Sequence, residues 1–317
     1  MKITITTPSR LHFTLIDLNG GLSRIDGSAG LAIERPQTMV QAWKSEKLTV
    51  NAAERTSELV SIIKKITARY KLSDKLTLSV RKQSPAHAGL GSSTQLYLAA
   101  AKAVTMLYGI TADARELAML AGRGGTSGIG VGAFDAGGFL VDSGHSYGRG
   151  TEKEGFLPSS YSKAGPAPVG VRLNFPDWKI LLCIPKGTGL HGARELEYFR
   201  RHFPSGEKEA ERLSRIILMK MIPSVIEKDL EGFDESIMMM NKARSFIFQK
   251  ETQKLIKDIN NTGGKATSMS SFGPAVFTFT DNQKTALRLK EAMAEYGTVI
   301  ETKAQNHGAT VKINKKT

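Results

Sequence analysis

SPAHAGLGSSTQLYLAAAKAVTMLYG, residues 84–109, runs a proline and a glycine-rich turn straight into an alanine-rich stretch of helical character. Three small hydroxyl residues, Ser92, Ser93 and Thr94, stand where the helix begins. A helix start leaves backbone N–H groups unpaired and carries partial positive charge, and the glycines let an anion approach. Gly89, Leu90, Gly91, Ser92, Ser93 and Thr94 therefore read as a phosphate cradle. The pattern is neither GxxxxGK[ST] nor GxGxxG, because Thr94 occupies the last glycine position. A serine-capped helix whose glycines merely turn the chain accounts for the same residues.

Around this stretch lies an ordinary folded chain. Its 317 residues suffice for two domains, and 40% hydrophobic with 23% charged residues disfavours disorder or a fibrous class. Apolar runs such as Ile180 to Ile184 are far too short to span a membrane, and the N-terminus lacks an apolar leader core, so a cytoplasmic protein is expected. The single cysteine, Cys183, has no internal disulfide partner and reads as a small buried hydrophobe. A formal charge of +14 favours anionic partners. The basic residues are scattered among acids, as in LKEAMAEYG, so a phosphorylated small molecule is expected and nucleic acid is not.

KITITTPSRLHFTLIDL, the loop NGGLSRIDGSAG and AIERPQTMVQAW read as a hairpin-like opening. Leu59, Ile62, Ile63 and Ile66 recur at helical spacing before the strand KLTLSVRKQ. After the cradle come a helix ended by Gly122, a glycine-rich loop through Asp135, and the strand GGFLVDSG. Residues 144–177 lack periodicity, which places the domain junction there and divides the chain into 1–165 and 166–317. The second half begins with the strand WKILLCIP and has a long helical region from about Arg194 to Lys250. It continues as helix ETQKLIKDINN, strand ATSMSSFGPAVFTFT, helix QKTALRLKEAMAEYG and strand TVIETKAQ; KINKKT reads as a frayed tail. Helices and strands without strict alternation indicate an α+β class.

PAHAGLGSST resembles the second signature, PxxxGLGSS, of the GHMP superfamily of small-molecule kinases, where this loop wraps the phosphates of ATP. PSRLHF near the N-terminus and SMSSFGPAVF at residues 268–277 resemble the first and third signatures, in the same order. Their spread covers nearly the whole chain. The resemblance implies a two-domain GHMP-kinase-like fold: an N-terminal α/β domain with a left-handed-crossover type sheet and a C-terminal ferredoxin-like α+β domain. In detail, RLHFTLIDLNGGLSRIDGSAGLAIE, GRGGTSGIGVGAFDAGGFLVDSG and MSSFGPAVF are similar to one branch, the β-ribofuranosylaminobenzene 5′-phosphate synthases of the methanopterin pathway. The first of these replaces a kinase stretch ending in Gly-Glu-His.

That branch implies condensation of phosphoribosyl pyrophosphate with 4-hydroxybenzoate or 4-aminobenzoate, releasing pyrophosphate and carbon dioxide, in a homodimer with Mg²⁺. The rival is an ATP-dependent GHMP kinase acting on a small alcohol. Arg10 and Arg24 are candidates to clamp the aryl carboxylate. His12, Asp26 and Asp135 are candidate catalytic groups, with Asp135 ranked first, and Asp17 and Asp135 are candidate Mg²⁺ ligands. Gly124, Gly125, Thr126 and Ser127 could hold a second anionic group such as the ribose 5-phosphate, beside Arg123. Ser270, Ser271 and Gly273 offer a further phosphate contact. Turns, caps and solvated loops explain several of these equally well, Lys186, His191 and Arg194 most of all. The dispersed histidines argue against zinc, and Met238 to Met240 read as core or interface packing.

Overall fold

In a computed structural model that describes residues 1–158, 161–186, 196–197, 200–201, 204, 206–243 and 248–314, the N-terminal alternation builds two long antiparallel strands. These are β1 (Lys2–Asp17) and β2 (Arg24–Lys44). They continue through β3 (Thr49–Asn51), α1 (Thr56–Arg69) and β4 (Leu76–Lys82), with β3 and β4 parallel. Leu59, Ile62, Ile63 and Ile66 are the buried face of α1, as their spacing predicts. Next come α2 (Ser92–Leu107), α3 (Ala114–Ala121) and α4 (Ile129–Asp135). Asp113 caps α3 by accepting from the Glu116 N–H at 2.7 Å, and Gly122 ends it in the left-handed region.

The first sheet has eight strands, its main path ordered β12-β1-β2-β4-β3. Attached to that path are β5 (Phe139–Asp142), β6 (His145–Ser146) and β7 (Val169–Leu173), while β12 (Thr310–Asn314) pairs with β1. The second sheet has four antiparallel strands in the order β11-β8-β10-β9. Its members are β8 (Lys179–Pro185), β9 (Lys265–Met269), β10 (Val276–Thr280) and β11 (Gly297–Thr302). The helices are α5 (Glu207–Ile216), a π turn at Ile217–Met221, α6 (Ile222–Glu227), α7 (Leu230–Ala243), α8 (Lys250–Asn261) and α9 (Gln283–Ala294). A strand order of outer, first, third and second, with helical crossovers, is the expected ferredoxin-like arrangement.

Two of the apolar layers position the site. Ile3 and Ile5 on β1 bury against α1 and the alanine-rich α2, whose small side chains let it lie close on the sheet. A register irregularity between Thr7 and Ser9 re-aims the strand, so Leu11 and Phe13 join Phe139, Phe175, Trp178, Phe233, Phe277 and Phe279 in a core shared by both domains. Even-numbered positions Arg10 and His12 thereby turn toward the helices that begin at Ser92 and Ile129.

Several expectations are corrected. The boundary at 165/166 does not hold, because β7 extends the first sheet beyond it and β12 returns to that sheet from the far end of the chain. Residues 144–177 contribute β6 and β7 rather than forming a linker. The glycine-rich loop ends in helix α4, the stretch ATSMSSFGPAVFTFT is the hairpin β9–β10, and Lys312–Asn314 of the supposed tail pair with β1. Periodicity could not reveal these partners, since each pairing joins residues distant in sequence.

Candidate functional site

The cradle is built by tying down its carbonyls. Leu90 O accepts from Arg10 N at 3.1 Å, Ala88 O from Ala275 N at 3.2 Å, and Gly89 O from Ser270 Oγ at 2.7 Å and from the Arg10 guanidinium. Gly91, at φ 76°, is the N-cap of α2, and no side chain caps that helix. The serine-cap alternative is therefore not what forms: the hydroxyls of Ser92, Ser93 and Thr94 leave the first-turn amides of α2 as orphan donors. Ser92 and Thr94 are buried, and Arg123 Nε donates to Thr94 Oγ1 at 3.1 Å.

Motifs far apart in sequence converge here. His12 N donates to Ser270 Oγ at 3.1 Å and Ser271 N to His12 O at 2.9 Å, so the third signature is stitched to β1 and to the cradle at once. Gly273 N closes the same turn on Ser270 O at 2.9 Å. Directly opposed strand residues share a face. The register pairs Arg10 with Ala32, His12 with Gly30, Leu15 with Ser28 and Asp17 with Asp26. Gly30 abuts Ile129 at the start of α4, and Ser28 Oγ lies 2.7 Å from Ser127 Oγ. One face of the hairpin thus carries Arg10, His12, Ser28, Asp26 and Asp17 in a row toward α2 and α4.

At the far end of that row Asp26 is fully buried and its Oδ2 accepts from Lys153 Nζ at 2.8 Å and lies 2.7 Å from His145 Nδ1. His145 Nε2 is 2.9 Å from Gly165 O, so both imidazole nitrogens face acceptors. Asp26 Oδ1 has no partner among the described residues. Beside this group, buried Asp142 accepts from Gly128 N at 2.9 Å, from Gly144 N at 3.0 Å and from Ser28 Oγ.

Burial pushes the Asp142 carboxyl up to about 6, against the lowering effect of its hydrogen bonds from Ser28, Gly144 and Gly128. A carboxyl raised in the folded state binds its proton more tightly there than when unfolded. Its contribution thus favours folding at low pH and is lost as the pH rises from the ordinary carboxyl value near 3.8 to about 6. Asp142→Asn removes that titration: the stability difference between wild type and variant, followed by urea melts from pH 3.5 to 7, is expected to change by roughly 3 kcal/mol. A difference that stays flat across this range would contradict the assignment.

Other expected residues are placed elsewhere. Asp135, ranked first, is exposed at the C-terminal end of α4, about 9 Å along the helix from Ile129, with its backbone packed on Gly308. Gly124 and Gly125 are pressed against Pro166 and Ser162, and Thr126 Oγ1 donates to Leu157 O at 2.7 Å, so this loop binds its own chain. The amide of Gly128 is taken by Asp142, while Ser127 remains beside Ser28. Asp17 Oδ1 accepts from the Asn19 and Gly20 amides at 2.8 and 3.0 Å. Arg24, exposed, spends Nε and Nη2 on Ser143 O and Gly144 O at 2.9 and 2.8 Å and keeps its remaining donors. Lys186 is exposed, and His191 and Arg194 lie outside the described residues.

Asp142, His145 and Lys153 are site neighbours that no local sequence pattern marks. Lys153 sits between exposed Glu152 and Glu154, a charge run that reads as solvated; only its partner 127 positions away reveals it as buried.

Comparisons with known proteins agree with this architecture. The GHMP kinases N terminal domain matches residues 57–141 and the GHMP kinases C terminal domain residues 221–299. Among solved structures, homoserine kinase from Cytophaga hutchinsonii superposes with a TM-score of 0.70 at 17% identity, covering 98% of this chain and 97% of that one. Phosphomevalonate kinase from Streptococcus pneumoniae gives 0.71 at 12% identity, covering 96% and 100%. At such identities the likeness establishes the fold. Curated relatives are much nearer: β-ribofuranosylphenol 5′-phosphate synthase of Methanocaldococcus jannaschii is 39% identical over 96% of this chain and 98% of its own length. The synthase of the same name from Methanothermobacter thermautotrophicus is 40% identical over 98% of both chains. That from Archaeoglobus fulgidus is 39% identical over 98% of this chain and all of its own. The chain belongs to the β-ribofuranosylphenol 5′-phosphate synthase family, within the GHMP superfamily.

Proposed function

We propose that this enzyme joins 5-phosphoribosyl 1-pyrophosphate to 4-hydroxybenzoate, releasing pyrophosphate and carbon dioxide and leaving a carbon-linked ribofuranosyl phenol 5′-phosphate, a step toward tetrahydromethanopterin. The observation that carries this reading is near-full-length identity of 39–40% to three proteins named as the phenol-forming synthase. The site chemistry supports it. Orphan amides of Gly91 to Thr94 would hold the charge that grows on the departing pyrophosphate. Arg10 and Arg24 would grip the anionic ends of donor and acceptor, while His12 would stand beside the reacting carbon. Ser127 and Ser271 would contribute hydroxyls to the same row, while Ser270, its hydroxyl spent on Gly89 O, holds the cradle in shape.

No three His, Cys, Asp or Glu side chains gather as a metal cage among the described residues. Asp17 stands opposite Asp26, at the end of the row far from the cradle, and Asp135 is exposed off the site face, so neither reaches an ion at the cradle. Mg²⁺ there would rest on donor phosphate oxygens and water and would neutralise pyrophosphate charge. The exposed Leu218, Met219, Met238 and Met239 support a homodimer. No helix among the described residues is long and apolar enough to cross a membrane, which suits the cytoplasmic placement inferred from the sequence.

An ATP-dependent small-molecule kinase is the rival, favoured by the kinase-like fold. The two readings part when the protein is given phosphoribosyl pyrophosphate, Mg²⁺ and carboxyl-labelled 4-hydroxybenzoate: labelled carbon dioxide is expected, and its absence overturns the proposal. In the same assay Asp135→Asn is expected to keep its rate within about twofold, as an exposed residue off the site face should. A hundredfold loss would restore it to the mechanism.

A further inference from the structure

Two buried groups at the end of the site row have hydrogen-bonding capacity that the protein does not use. An ammonium carries three donors. Lys153, 4% exposed, gives one to Asp26 Oδ2 and finds no other acceptor among the described residues. Asp26, 1% exposed, leaves Oδ1 without a donor. A buried polar group left unpaired costs on the order of 1–3 kcal/mol, and a buried lysine costs more unless matched. An apolar pair would be cheaper, so this arrangement needs a reason.

Spare donors beside a spare acceptor are the complement of a hydroxyl, which donates one hydrogen bond and accepts others. The place fits as well. Asp26 lies four residues along β2 from Gly30, the partner of His12, at most about 13 Å away. With His12 beside the reacting carbon, that span leaves room for a benzene ring and its para group between His12 and Asp26. We propose that Lys153 and Asp26 bind the para hydroxyl of the aryl acid and select hydroxyl over amino. This deepens the synthase reading and rests on it.

The chemistry balances. The ring carbon bearing the carboxylate forms a bond to the ribosyl C1 as the bond from C1 to pyrophosphate breaks. The para O–H proton passes to Asp26 Oδ1, leaving a dienone whose oxygen accepts from Lys153 Nζ. The carboxylate then departs as carbon dioxide, its bonding pair restores the aromatic ring, and the resulting phenolate takes the proton back from Asp26. An aryl amine, whose lone pair is drawn into the ring, offers the ammonium a much poorer acceptor. His145, held between Asp26 and Gly165 O, is a positioning residue that keeps Oδ1 aimed at the substrate.

The test compares kcat/KM for 4-hydroxybenzoate and 4-aminobenzoate in the full-length Mg²⁺ enzyme. Wild type is expected to favour the hydroxy acid. Lys153→Met should shrink that preference at least tenfold while the KM for phosphoribosyl pyrophosphate stays within twofold, and Lys153→Arg should recover part of it. Equal losses with both acids, or an unchanged ratio, would overturn the inference. Should Lys153→Met fail to fold, wild-type binding decides: benzoate, lacking the para group, is expected to bind at least tenfold more weakly than 4-hydroxybenzoate, and equal binding sinks the idea. Wild type that releases no carbon dioxide from either acid refutes the synthase reading itself, a result distinct from normal turnover with no Lys153 effect.

Discussion

Replacing Gly89 with alanine is expected to reduce turnover more than a hundredfold and to lower stability by about 3 kcal/mol. Gly89 sits at φ 77°, where a side chain is strained before any contact is considered. An added Cβ would also drive into the carbonyl oxygen of Ser270 and stand 3.1 Å from that of Gly273. Both are backbone atoms of the third signature, held by hydrogen bonds to β1, so neither can yield cheaply. Relief must come from moving the cradle, which misaims the amides proposed to receive pyrophosphate.

Gly91 provides the control. It shares the left-handed conformation at φ 76°, but its added Cβ would meet the flexible side chain of Arg10 at 3.0 Å. Gly91→Ala should therefore cost less stability than Gly89→Ala. Thermal melts and calorimetric titration with pyrophosphate measure both effects. Normal pyrophosphate affinity in folded Gly89→Ala protein would remove this loop from donor binding.

Asp26→Ala is expected to destabilise the fold by roughly 3–5 kcal/mol, because it strands the Lys153 ammonium in the interior without its counter-charge and takes away the hydrogen-bond partner of His145 Nδ1. The loss should exceed that of Asp26→Asn, which keeps an acceptor at the same place. Removing both charges together, as Asp26→Asn with Lys153→Met, should restore part of the stability of either single change. That non-additivity is what a contacting buried pair predicts, and simple addition of the single effects in urea melts would contradict it. Turnover is expected to fall in all three variants even under conditions where they are fully folded.

The cradle and the helix it opens were legible from residues 84–109 because a glycine turn feeding a helix start is local physics: conformation, orphan amides and dipole all arise within a few residues. The α+β class and the buried stripe of α1 were legible for the same reason, through short-range periodicity. Resemblance extended this to the two-domain fold and its third signature. What tertiary structure alone decided is which charges are in the site. Resemblance ranked Asp135 first among the acids, yet at the end of α4 it is exposed. Lys153 stands between two glutamates in TEKEG, a local pattern that carries no sign of burial, and the chain folds it inward onto Asp26 from 127 positions away. Burial and pairing are set by partners distant in sequence, and a local pattern carries no record of them.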